Sequence, residues 1–152
     1  MKRGGFTLIE MLLVIVVIGI LSAMMMFAGM EAVASARAAV IEDNMKTLKT
    51  AAAACCLHCE EQNKEISLSM ENVLSYIGGG ETSSRLNASG CTYSIEHDDD
   101  NEKYYVKCSL GGASAEKVRE KLKARAKSLG LLKGIQDSSE YDGGWDVYMS
   151  VL

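Results

Sequence analysis

Between Lys2 and Met30 the chain reads KRGGFTLIEMLLVIVVIGILSAMMMFAGM, and one residue in it is out of character. From Met11 to Met30 there are twenty residues with no charge and only Ser22 as a polar side chain. Glu10 stands at the head of that run. Twenty helical residues rise about 30 Å, the thickness of a bilayer's hydrocarbon core. A soluble core helix is rarely apolar all round for so long, so residues 11–30 read as a membrane span. Lys2 and Arg3 precede it, and the positive-inside rule leaves the extreme N-terminus in the cytoplasm and the rest of the chain outside.

A secretory signal peptide also has a basic start and an apolar run. Its apolar region is about 7–15 residues long and ends at a small-residue cleavage site. Ser22-Ala23 and Ala28-Gly29 imitate such a site, but the run here is longer. Glu10 then needs an explanation. A carboxylate carried toward the membrane centre costs several kcal/mol and usually has a partner and a task. The bland alternative is an interfacial glutamate reaching headgroup water.

The flanking residues Gly4-Gly5-Phe6-Thr7-Leu8-Ile9-Glu10 resemble the processing site of the type IV pilin and pseudopilin superfamily, the class III signal peptide. That pattern is a short basic leader ending in glycine, then an aromatic residue, then glutamate at the fifth mature position. Lys2, Arg3, Gly5, Phe6 and Glu10 match it. The resemblance implies cleavage by prepilin peptidase between Gly5 and Phe6, and N-methylation of Phe6 by the same enzyme. It divides the chain into a leader (1–5), a transmembrane and filament-core helix (6–30) and a globular head (31–152). The implied fold is α+β and pilin-like, a long N-terminal helix packed on a small antiparallel sheet. The implied precursor sits in the inner membrane with its N-terminus cytoplasmic. Its implied partners are further copies of itself in a helical cell-surface filament, a membrane assembly platform and a cytoplasmic ATPase. Cleavage would create an amine at Phe6, which Glu10 of a neighbouring subunit can neutralise; a pair offsets part of the cost of each buried charge. Two other readings compete. One is a type II secretion pseudopilin or minor pilin. The other is a monomeric single-span binding protein, which would not need the Gly5–Phe6 pattern.

Composition bounds the remainder. Without Lys2 and Arg3 the chain keeps 14 basic residues of its 16 against 20 acidic ones, a net charge near −6. A strongly basic surface is absent, which argues against nucleic acid as a partner. There is no proline, and 14 glycines supply the turns. Many pilins have a helix-breaking proline about twelve residues beyond the glutamate. This chain has Met24-Met25-Met26-Phe27 near that place, read as adaptable packing.

Past the span, residues 31–61 contain neither proline nor glycine. Ile41, Met45, Leu48, Ala52, Cys55 and Cys59 recur at spacings of four and three, an apolar seam with Cys59 at its centre. Arg37, Glu42, Lys46, Lys49 and Thr50 point elsewhere. One helix of about 55 residues is therefore expected, with a membrane half and an amphipathic half. A short helix over 70–77 follows, capped by Ser69 and ended by Gly78-Gly79-Gly80. Residues 91–96 and 104–110 alternate as strands around a turn at 97–103. A register that sets Cys91 opposite Cys108, Tyr93 opposite Val106 and Ile95 opposite Tyr104 puts all six on one face. Residues 114–129 read as a further helix, Ser114 to Gly130, whose basic face is solvated or, alternatively, meets acidic groups on a neighbouring subunit. In a last strand from residue 145, Trp145, Val147, Met149 and Val151 alternate with Asp146, Tyr148 and Ser150.

Five cysteines remain: Cys55, Cys56, Cys59, Cys91 and Cys108. An external head permits disulfides. Helix-to-strand bridges, a Cys91–Cys108 bridge and free thiols packed as small hydrophobes all fit the pattern. Cys56-Leu57-His58-Cys59 is not a haem attachment site, since the histidine lies between the cysteines. Cys55, His58 and Cys59 have zinc-like spacing but no fourth ligand. The acidic run 98–102 lacks the spacing and glycine of an EF-hand. No nucleophile motif or phosphate loop occurs, so no enzyme activity, metal or cofactor is expected.

Overall fold

The computed structural model describes residues 7–62, 68–77, 86, 90–112 and 115–151. Helix α1 runs Leu8–Glu61 and α2 Met70–Tyr76; strands β1 (Cys91–Asp98) and β2 (Lys103–Leu110) follow. Then come α3 (Ala115–Leu129), β3 (Leu131–Leu132) and β4 (Asp146–Ser150). The chain divides into two compact units, Met1–Val33 and Ala34–Leu152.

In the first unit every described residue from Thr7 to Val33 is exposed. Leu13 is 62% exposed and Phe27 71%, so this segment has no core of its own. It is long and apolar enough to cross a membrane. The helix is unbroken through Met24–Phe27, as expected where no proline removes a hydrogen bond. A Cβ added at Gly19 or Gly29 would meet nothing within 4 Å.

In the second unit α1 has the expected seam, buried at Ile41, Met45, Leu48, Ala52 and Cys55. It starts earlier than expected, at Ala34 and Ala38, and includes Ala51 and Cys56. Its centre is therefore shifted: Cys55 and Cys56 are buried, while Cys59 is only partly so. The seam shares one core with the inner faces of β1, β2 and β4 and with Val118, Leu122 and Ala126 of α3. Each fully buried Leu, Ile or Met side chain contributes roughly 1.5–3 kcal/mol. Glu42, expected on the polar side, is tied to Arg125 of α3 at 3.1 Å. Ser69 caps α2, its side chain accepting from the Asn72 amide at 3.2 Å. The expected stop at 78–80 and the Ser114 cap lie outside the described residues. Gly130 ends α3 at φ 64°, the left-handed conformation that suits a glycine cap.

The sheet has the order β1-β2-β4-β3 and is antiparallel throughout. The hairpin register differs from expectation. Cys91 faces Leu110, Tyr93 faces Cys108, Ile95 faces Val106 and His97 faces Tyr104. A shift of two leaves every side chain on its expected face. The turn explains the offset. The Asp98 carboxylate accepts from the Asp100 amide at 3.1 Å and from Asn101 Nδ2 at 2.8 Å. Strand β1 therefore reaches Asp98 and the loop closes on Lys103, with Glu102 at φ 52°. The observed register also gives buried Leu110 a partner.

Three further departures concern the last third of the chain. Trp145, expected to begin the last strand, precedes β4 and is 57% exposed. Tyr141 is buried, at 2% exposure, its hydroxyl donating to the Gly144 carbonyl. Tyr148, which alternates with the Val147, Met149 and Val151 set, is buried as they are, and so is Tyr105. The Lys107 ammonium lies 5.6 Å from the Tyr148 ring centre and 3.0 Å from the Glu96 carboxylate. Strand β3 pairs only Leu131 and Leu132 with β4, too short for alternation to reveal.

Candidate processing and assembly site

The first turn of an α-helix leaves amide groups without intrahelical partners. Here Thr7 and Glu10 supply them for each other. The Glu10 carboxylate oxygen Oε2 accepts from the Thr7 amide at 2.7 Å and from Thr7 Oγ1 at 2.8 Å. The Glu10 amide in turn reaches Thr7 Oγ1 at 3.4 Å and the Thr7 carbonyl at 3.1 Å. This is a reciprocal capping box, Thr-x-x-Glu. Both side chains are exposed. The unpaired-looking carboxylate thus has a partner three residues away within its own chain. Thr7 was not singled out from the sequence, although a Thr-x-x-Glu run ahead of an apolar stretch is its signal. Gly5 and Phe6, the expected cleavage pair, lie outside the described residues.

A family model for the prokaryotic N-terminal methylation motif matches residues 1–26. The chain carries the class III signal peptide of type IV pilins. No curated protein and no solved structure matches. The matched stretch includes Gly5, Phe6, Thr7 and Glu10 and extends into the apolar run as far as Met26. The motif thus covers the helix start where the capping box lies. It belongs to structural, pilin-type precursors and not to an enzyme family. An apolar N-terminal helix headed by this motif fits a membrane-anchored precursor.

The cysteines and His58 lie in the second unit. All five thiols are unbridged. Burial pushes the Cys55 and Cys56 thiols upward, and neighbouring Cys59 adds to the effect at Cys55. A hydrogen bond with Cys91, together with burial, raises Cys108 strongly. Such thiols behave as small hydrophobes, since the thiolate is the reactive form. Two sulfur neighbourhoods therefore exist, Cys55 with Cys59 on α1 and Cys91 with Cys108 across the hairpin. His58 is exposed; it bonds Gln62 at 2.8 Å and meets the Tyr76 ring at 6.1 Å. Among the described residues no three His, Cys, Asp or Glu side chains converge on one point.

Proposed function

We propose that this chain is a structural subunit of a type IV pilus-like extracellular filament. Prepilin peptidase would cut between Gly5 and Phe6 and methylate the new N-terminus. The processed subunit would wait in the inner membrane until an assembly platform and its ATPase add it to the fibre. The observation that carries this reading is Glu10 at the head of an apolar helical segment, exposed from residue 7 to 33, inside a matched methylation motif. An apolar surface of that extent needs either lipid or other helices to cover it. A filament core offers the second once the subunit leaves the bilayer.

The chemistry follows from the charges. Cleavage leaves a cationic amine at Phe6. In a helix bundle that amine is desolvated, and a carboxylate four residues along on a neighbour neutralises it. The capping box occupies one carboxylate oxygen, Oε2, and leaves Oε1 for a second donor. Because the two charges meet at one axial offset, the pair also sets the stagger between subunits.

Glu10→Gln tests the reading. It keeps the shape and removes the charge, a loss of about 3–5 kcal/mol when a buried pair loses one partner. The variant should insert and be cleaved, since a neutral side chain is cheaper in the membrane. Mature monomer should accumulate there while fibres fail to form. Normal fibre yield with unchanged helical rise would remove Glu10 from the assembly step.

A further inference from the structure

Charge is segregated within the second unit. Helix α3, AEKVREKLKARAKSL, holds six basic residues and two acidic ones. After loss of Lys2 and Arg3, the rest of the chain has eight basic residues against eighteen acidic. Arg119, Lys123 and Lys127 are spaced four apart, so they share one stripe of the helix. Lys123 and Lys127 are exposed, with no ion pair among the described residues. At the start of the stripe the Arg119 guanidinium stacks over the exposed Trp145 ring at 4.2 Å. The stem of Lys123 lies beside Gly143 of the same corner. An exposed tryptophan under an arginine is the pairing that protein interfaces use as anchors.

The opposite charge is concentrated elsewhere. The β1–β2 loop presents Asp99, Asp100 and Glu102 to solvent; Asp98 is turned inward to hold the turn. The Trp145 end of the stripe and the acidic loop sit at opposite ends of the sheet. Strand β2 starts at Lys103, beside the acidic loop, and ends at Leu110, whose amide donates to the Trp145 carbonyl at 2.8 Å. Eight strand residues put about 24 Å between those ends. The Trp145 corner cannot meet the acidic loop of its own subunit, but it can meet that of a second one.

We propose that the Arg119–Lys123–Lys127 stripe with Trp145 docks the acidic Asp99–Glu102 loop of a second copy of this chain. The contact rests on the filament reading and gives it a head-to-head interface. It joins two different surfaces, so it leaves one of each unfilled at the ends. Contacts of that heterologous kind form rings where the rotation closes and open helical assemblies where it does not, and the filament reading requires the second. Both faces lie outside the core and are rim charges, so the contact weakens as salt rises.

The test uses full-length chain in cells that assemble the fibre. Sheared wild-type fibres made from mixed light and heavy isotope-labelled subunits are treated with a carbodiimide, and cross-linked peptides are mapped. Links between Lys123 or Lys127 and Asp99, Asp100 or Glu102, joining light to heavy peptides, are expected. Lys123→Glu with Lys127→Glu should lower fibre yield roughly tenfold or more, with processed subunit retained in the membrane. Asp99→Lys with Asp100→Lys should do the same. The chain carrying all four substitutions should recover to within about threefold of wild type. Wild-type fibres that lack these links, with normal yield of the lysine variant, overturn the contact and leave the filament reading intact. A fourfold variant no better than either pair also overturns it and points to a different partner, such as an anionic polymer. Absence of any wild-type fibre overturns the filament reading and this contact with it.

Discussion

Glu10 and Thr7 close on each other across the first turn of α1. The carboxylate takes the Thr7 amide at 2.7 Å and the hydroxyl at 2.8 Å, while the Glu10 amide points back at the threonine. A residue that reads as a membrane-buried charge is therefore also the third residue of a helix cap. The cap orients the carboxylate from within its own chain.

Thr7→Ala should loosen that orientation. Loss of an N-cap side chain costs about 0.5–2 kcal/mol. The expected result is faster amide exchange at Glu10 and Met11 in detergent micelles, with residues beyond the second turn unchanged. Thr7→Ser should restore protection. Equal exchange in all three proteins would mean the box does not hold the helix start.

The two units should respond differently to the same truncation. Leu48 is fully buried in the shared core, and Leu48→Ala should lower the unfolding free energy of the second unit by about 2–5 kcal/mol. Leu13 is 62% exposed, and Leu13→Ala should change it by no more than about 0.5 kcal/mol. Denaturant unfolding of the detergent-solubilised chain separates the two. A Leu48→Ala effect as small as that of Leu13→Ala would put the seam outside the core.

Much of this architecture is legible in the residues. The apolar run, the seam at spacings of four and three, and the alternating hairpin each carry a period that one kind of element satisfies. The hairpin offset is not, because alternation decides which face a residue takes and only the turn decides the partner. Asp98 made that choice through its bonds to Asp100 and Asn101. Nor does composition tell that Tyr141 is buried, its hydroxyl donating to the Gly144 carbonyl, while Trp145 lies exposed under Arg119. The cap is harder to see, because the charge of Glu10 ahead of an apolar run masks the Thr-x-x-Glu spacing that marks Thr7.

The hairpin turn should loosen in acid. Hydrogen bonds from Asn101 hold the Asp98 carboxyl below its ordinary value, opposed by burial and helped by the Asp100 amide. A depressed folded value means the turn's contribution is present above the unfolded pKa of about 3.9 and is lost as pH falls through the folded one. Amide protection at Asp100 and Lys103 should fall below that range. Asp98→Asn should remove this dependence; an unchanged acid limb would assign it to another carboxylate.

Thiol reactivity should sort by burial. In the reduced, folded chain Cys59 should be alkylated first, since Cys55, Cys56, Cys91 and Cys108 are buried and burial or a thiol neighbour raises those of Cys55, Cys56 and Cys108. Timed iodoacetamide labelling with peptide mapping reads the order. Early labelling of Cys108 would contradict its position in the core.

The central claim is that this chain is processed as a prepilin and built into a fibre. Mass spectrometry of the subunit recovered from sheared surface fibres tests it most directly. The account predicts a chain that starts at Phe6, lacks residues 1–5 and is heavier by one methyl group at its N-terminus. Recovery of this chain with its N-terminus at Ala23 or Gly29, or fibres that do not contain it, would contradict the account.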